Sequence, residues 1–199
     1  MVGRQKGARI MKKIISLFQR NYESDKLVRD EIVPGAEWVV AGEGVATRKF
    51  DGTCCMVRGG KLFKRYEAKR GGRLPAGFEP AQEEADPITG HWPGWLPVSD
   101  GPEDTYHHEA WWNRLTVPDE GTYELCGPRA QNNPEGFDCH ALVKHGEEVL
   151  HDCPRTFDAL REYLSDGAIE GVVWYHPDGR MVKIKGKDFG IKRRPLPKK

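Results

Sequence analysis

Residues 53–65, TCCMVRGGKLFKR, decide the architecture. Two strand-like runs flank Gly59-Gly60, and such a pair of glycines is a hairpin signal because both accept the positive φ of a tight primed turn. The chain repeats the device near its end, where 171–175 (GVVWY) and 180–186 (RMVKIKG) are joined by His176-Pro177-Asp178-Gly179. Working outward, 37–41 (EWVVA) and 44–50 (GVATRKF) read as strands separated at Gly42, and 122–126 and 140–144 as two more. Helical periodicity appears at 8–21, with Ile10, Ile14, Leu17 and Phe18 on one face. It appears again at 156–165, with Thr156 as N-cap, Gly167 as stop and Phe157, Leu160 and Leu164 inward. Residues 71–112, which include GHWPGWLPV at 90–98, read as a long irregular segment packed by its own tryptophans. Runs of antiparallel strands with few helices between them predict an α+β fold of largely antiparallel sheets with flanking helices.

The chain has 199 residues, 38% hydrophobic and 31% charged, which predicts one compact unit with a real core. No apolar run approaches the roughly 18–20 residues of a membrane-spanning helix. The 14–18 stretch is too short for a secretory signal, and five cysteines, an odd number, fit no disulfide framework. An intracellular, reducing, cytoplasmic setting without a membrane is expected. The net charge of +1 hides a segregation. Residues 1–20 carry +6 and residues 180–199 carry +8, so the middle stands at −13. Basic ends on an acidic body suggest a polyanion held by a local patch. The basic helix at about 8–21 and the basic tail at about 191–199 are the expected contacts.

K-x-D-G, here Lys49-Phe50-Asp51-Gly52, specifies no chemistry by itself. Other segments add to it. TYEL (122–125) and IEGVV (169–173) each set a glutamate in strand-like apolar sequence, where an unpaired charge is costly. MVKIK (181–185) alternates, so Lys183 and Lys185 emerge on one face and Val182 and Ile184 on the other. One lysine, two glutamates and two more lysines form the inventory of a phosphate-handling cleft. Cys54 and Cys55, adjacent on a strand, must point to opposite faces. Cys139, His140, His145, His151 and Cys153 match no standard zinc spacing. Trp92 and Trp95 read as loop packing before base stacking, and the DFG at 188–190 has nothing kinase-like before it.

The order KFDG, KRYE, TYELCG, IEGVV, MVKIK resembles nucleotidyltransferase motifs of the superfamily that joins polynucleotide ligases with mRNA capping enzymes. KFDGTCCMV (49–57), GHWPGWLPV and ELCGPRAQNNPEG (124–136) are similar to the small, single-domain ATP-dependent RNA 5′-to-3′ ligase family that has a vertebrate branch. The resemblance runs from about 45 to 190. It implies a nucleotidyltransferase domain over 1–199, without an OB-fold domain, using ATP and Mg²⁺ or Mn²⁺ on RNA with 5′-phosphate and 3′-hydroxyl ends, as a monomer. It makes Lys49 the nucleophile that forms lysyl-AMP, and Glu170 the metal-binding and transition-state carboxylate. Glu124 contacts the AMP ribose, Arg65 the ribose or a phosphate, and Lys183 and Lys185 the α-phosphate. Asp51 orients the turn, and Gly52 lets the backbone approach the nucleotide. Neighbouring cations such as Lys183, Lys185 and a bound metal are expected to disfavour the charged form of Lys49 and expose its lone pair. DNA ligases and capping enzymes usually carry arginine where this chain has Cys54, which favours RNA. A DNA nick ligase, a protein that only adenylylates itself and a non-catalytic nucleotide- or RNA-binding module stay open.

Overall fold

The computed structural model describes residues 11–87, 89–114 and 118–194. In chain order the elements are β1 Ile15–Ser16, β2 Phe18–Arg20, β3 Val28–Ile32, α1 Glu37–Val40, β4 Val45–Lys49, β5 Thr53–Arg58 and β6 Lys61–Lys69. They continue with β7 Glu79–Pro80, β8 His91–Pro97, α2 Thr105–Trp112, β9 Gly121–Cys126, β10 Ala141–Lys144, α3 Phe157–Tyr163, β11 Gly171–Tyr175 and β12 Met181–Lys185. The α+β expectation holds. One sheet is ordered β1-β12-β11-β4, with only β1 parallel to its neighbour, and a six-stranded antiparallel sheet is ordered β10-β9-β5-β6-β8-β7. A two-stranded sheet pairs β2 with β3. Both hairpins form, β5–β6 across Gly59-Gly60 and β11–β12 across 176–180.

The helix expected at 8–21 does not form. Residues 8–10 lie outside the described range, and the rest supplies β1 and β2. Ile15 pairs with Val182 along β12, and Leu17 N–H donates to the Lys183 carbonyl, so an open sheet edge takes the backbone hydrogen bonds a helix would have kept. Leu17 and Phe18 reach the core, whereas Ile14 is only half-buried. The reverse error occurs at 37–41, which is α1 and not a strand. A short apolar run is ambiguous by periodicity alone. Here Arg155 donates to the carbonyls of Val39, Glu43 and Gly44, satisfying acceptors that no strand ladder reaches.

The segment 71–112 is also more ordered than expected, since it contains β7, β8 and α2. Strand β8 carries Pro93 and Pro97, which cannot donate to a ladder. It is tolerated because only β6 pairs along its whole length, while β7 touches it over two residues. Trp95 is buried, and Trp92 donates its ring N–H to the Gln82 carbonyl, so both tryptophans pack the segment as expected.

One core cluster joins Val172, Trp174, Val182 and Ile184 of the four-stranded sheet to Leu17, Phe18, Val39, Leu160 and Leu164. Two more cover opposite faces of the six-stranded sheet, Cys55, Val57, Tyr123 and Leu125 on one and Met56, Phe63 and Trp95 on the other. Among the described residues no helix is long and apolar enough to cross a membrane.

Candidate active site

Lys49 is the last residue of β4 and stands opposite Gly171 of β11, which in turn stands opposite Lys185 of β12. Side chains alternate along a strand, so Lys49, Lys185 and Lys183 share a face while Val182 and Ile184 anchor β12 in the core. Gly171 sits between the two lysines because nothing larger fits. A Cβ there would lie 2.1 Å from the Ile184 carbonyl oxygen. Glu170, one residue earlier, bridges both cations. Its Oε2 accepts from Lys49 Nζ at 2.6 Å and its Oε1 from Lys185 Nζ at 2.7 Å.

The electrostatics of this bridge differ from the expectation for Lys49. Burial pulls the Lys49 ammonium down, but Glu170, then Glu124 and Asp51, outweigh it and hold the group above its ordinary range. Burial likewise pushes the Glu170 carboxyl up, and Lys49 and Lys185 bring it below the usual carboxylate value. The lysine that surrounding cations do discharge is Lys183. Burial, with Lys185 and Lys49 beside it, lowers it to about 8.

That shift has a stability consequence. An unfolded lysine titrates near 10.4, so between pH 8 and 10.4 the unfolded chain binds the proton that native Lys183 has lost. Lys183 therefore penalises the fold in full below pH 8, and the penalty fades as the pH rises through this window. Denaturant unfolding is expected to show a contribution from Lys183 that rises with pH by up to about 3 kcal/mol. Lys183→Met removes that slope; an unchanged slope contradicts the burial of this charge.

A cavity of about 300 Å³ opens where the two larger sheets meet, lined by Lys49, Gly52, Cys54, Arg65, Glu124 and Lys183 among others. Cys54 stands directly opposite Glu124 in the β5–β9 ladder, so both face the cavity, and Cys55 turns into the core as alternation requires. Gly52 N–H donates to Glu124 Oε1 at 3.0 Å. A Cβ on Gly52 would lie 2.2 Å from the Leu125 carbonyl oxygen. This glycine therefore lets the turn approach β9, a constraint that the nucleotide expectation did not contain. Arg65 lies over the Trp95 ring, bonds Glu67 and donates to the Met11 carbonyl. Asp51 faces a neighbouring cavity of about 240 Å³ with Glu170, Lys187 and Arg193. All eight expected site residues thus fall in or beside two adjoining cavities.

Three further groups brace the site. His145 Nε2 lies 2.9 Å from Glu124 Oε2. Glu135, its side chain 1% exposed, is clamped between Arg48 at 2.5 Å and Arg193 at 2.9 Å, and accepts the Asp51 N–H. Asp188 accepts the Lys185 N–H at 3.0 Å and pairs with Arg20, so the DFG string has a structural role. His145 was visible only as a stray ligand-type residue. Its real partner, Glu124, stands diagonal to it across the β9–β10 ladder, a relation that spacing along the chain does not express. Glu135 follows Gln131, Asn132 and Asn133, three consecutive residues at positive φ, and no periodicity marks such a loop.

No model of a known protein family matches the chain. It is similar to RNA ligase 1 of Mus musculus, at 26% identity over 219 residues, covering 74% of this chain and 67% of the relative. It is also similar to RNA ligase 1 of Danio rerio, at 25% identity over 221 residues with the same coverage. The chain is thus distantly similar to vertebrate RNA ligase 1, and the similarity supports an RNA ligase.

Proposed function

We propose that the chain is an ATP-dependent RNA ligase of the nucleotidyltransferase type that captures AMP on Lys49. The observation that carries this is the Lys49–Glu170–Lys185 bridge beside a cavity lined by Lys183, Arg65 and Glu124. A primary amine, a carboxylate able to hold its proton and a cluster of cations are the parts phosphoryl capture requires. Lys49 Nζ attacks the α-phosphorus of ATP, a nitrogen–phosphorus bond forms, and the bond to the β-phosphate oxygen breaks with its electron pair leaving as pyrophosphate. The ammonium must first give up a proton, and Glu170 Oε2 at 2.6 Å is placed to take it. Lys183 and Lys185 meet the negative charge on the phosphoryl oxygens, Arg65 a phosphate or the ribose, and Glu124 the ribose hydroxyls. An RNA 5′-phosphate then displaces Lys49 from AMP, and a 3′-hydroxyl displaces AMP to form the phosphodiester.

The donor chemistry beside Lys49 fits a hard divalent cation. Asp51 and Glu170 offer carboxylate oxygens, and the Asp51 carboxyl is pushed up by burial and by Glu170, a like-charge conflict that a cation relieves. These two residues would hold Mg²⁺ or Mn²⁺, which when bound neutralises charge on phosphate oxygens.

Incubation with radiolabelled ATP and Mg²⁺ is expected to give an acid-labile AMP adduct that maps to Lys49. ATP binding with no adduct overturns the enzyme in favour of a binding module. The same preparation is expected to seal 5′-phosphorylated RNA in preference to nicked DNA; the opposite preference overturns the substrate. The basic ends supply backbone contacts in this reading. Removing 1–10 and 195–199 deletes Arg4, Lys6, Arg9, Lys198 and Lys199. It is expected to weaken RNA binding and reduce the salt dependence by up to about 3.5 units of log–log slope. An unchanged slope excludes these residues from the interface.

A further inference from the structure

The geometry points to a second occupant of the same cavity: Cys54, Glu124 and His145 form a site for a borderline-soft divalent cation of the Zn²⁺ class, whose binding excludes nucleotide. The exclusion rests on the nucleotide reading above, whereas the metal site stands on its own geometry. One ligand atom from each residue lies within 4.8 Å of the other two, the one such grouping of histidine, cysteine and carboxylate among the described residues. Ligands around a tetrahedral Zn²⁺ stand about 3.3–3.8 Å apart, given metal–ligand bonds of about 2.0–2.3 Å. The wider pairs must therefore close by up to about 1.5 Å, while His145 Nε2 and Glu124 Oε2, 2.9 Å apart, open slightly, both by side-chain rotation.

The trio is preorganised by the sheet. Cys54 and Glu124 are direct cross-strand partners. His145 follows two residues after Val143, the β10 partner of Glu124, and its N–H donates to the Thr122 carbonyl, which keeps it in register. Gly52 N–H fixes the remaining oxygen of Glu124, the kind of outer support that metal-binding carboxylates use. His145 Nε2 donates to Glu124 Oε2 at 2.9 Å, so metal binding replaces this contact and moves the proton to Nδ1, which is buried without a partner, a cost that keeps the site weak and exchangeable.

Ligand type selects the metal. Thiolate and imidazole favour Zn²⁺ over Mg²⁺, and the Met11 thioether, 3.4 Å from Cys54 Sγ, adds a soft flank. Burial raises the Cys54 thiol to about 12, so coordination must release its proton: the thiol and M²⁺ give the metal thiolate and H⁺. Lys49, Lys183 and Arg65 in the same cavity oppose a second cation, which makes the site exchangeable and not structural.

The probe is Co²⁺ added to the full chain without nucleotide. A near-ultraviolet thiolate-to-cobalt band is expected, discharged by Zn²⁺. Cys54→Ser abolishes the band, and Cys139→Ser, which alters an exposed cysteine elsewhere, keeps it. His145→Gln is expected to weaken binding at least about 10-fold and guards against a Cys54 variant that fails to fold. No band, a band that survives Cys54→Ser, or unchanged affinity in His145→Gln overturns the site. Buffered free Zn²⁺ is then expected to suppress AMP capture in the wild type and to need at least 10-fold more metal in His145→Gln. A cobalt band with no such suppression overturns the exclusion. A cobalt band in a protein that never forms an AMP adduct leaves the metal site standing and removes the ligase reading instead.

Discussion

Lys49→Ala is expected to lower AMP capture by a factor on the order of 10⁴ or more, because no other group can replace the nitrogen that forms the covalent bond. Lys183 makes this a sharp comparison. It lies on the same cavity and is depressed to about 8, so on acidity alone it is the readier amine. Position favours Lys49, which Glu170 holds beside Lys185. Lys183→Met is therefore expected to slow capture by roughly 10²–10³, the cost of one lost oxyanion contact, with the adduct still on Lys49. Peptide mapping of both variants decides the matter. A label that persists in Lys49→Ala and disappears in Lys183→Met transfers the nucleophile to β12. The pH dependence provides a second measure. Since Glu170 first among the carboxylates raises Lys49, replacing it with glutamine is expected to move the alkaline rise in capture to lower pH. No movement removes Glu170 from the control of that proton.

Gly171→Ala is expected to cost about 3 kcal/mol of stability and to reduce capture together with it. The added methyl would meet the Ile184 carbonyl oxygen at 2.1 Å and Lys185 Cα at 2.8 Å, both backbone atoms of the adjoining strand. Side chains can rotate away from an intrusion, but a paired strand can only separate. Strand β12 would be displaced, taking Lys185 from Glu170 and straining the Val172–Ile184 row in the core. A domain of this size unfolds with a midpoint change of about 2–4 °C per kcal/mol, so a decrease of roughly 6–12 °C is the thermal readout. Unchanged melting and activity would mean that β11 and β12 do not pack as closely as described.

The parts of the molecule legible from sequence are those whose partners lie within one hairpin or one alternating run. The β5–β6 turn, the β11–β12 turn, the inward Val182 and Ile184 and the opposed Cys54 and Cys55 all follow from two-residue periodicity and glycine placement. Residues 15–20 were misread because Leu17 and Phe18 satisfy a helical stripe and a strand equally. What decided between them was an unoccupied edge on β12, some 165 residues away in the chain. The candidate site divides in the same way. Lys49, Glu124, Glu170 and Lys183 were visible as charges set in apolar strands, where an expense of that kind needs a reason. Glu135 and His145 carry no such mark, because a loop glutamate and a lone histidine become informative only when the sheet brings Asp51 and Glu124 to them. The charge that Lys49 holds in the free protein has a related cause. Sequence counts cations, whereas the fold sets Glu170, one residue before β11, 2.6 Å from that amine, with Glu124 and Asp51 adding to its effect.

The clamp on Glu135 bears on how the protein should be shortened for crystallisation or expression. Arg193 ties the end of the described chain to the loop that grips the Asp51 amide, and its other guanidinium nitrogen and the Arg194 N–H both fasten to the Gly167 carbonyl. A boundary drawn before Arg193 discards a strut of the Asp51 turn together with its positive charge. A boundary after Arg194 keeps that strut and removes Lys198 and Lys199, so AMP capture, which needs no RNA, separates loss of the Glu135 clamp in the shorter product from loss of RNA contacts.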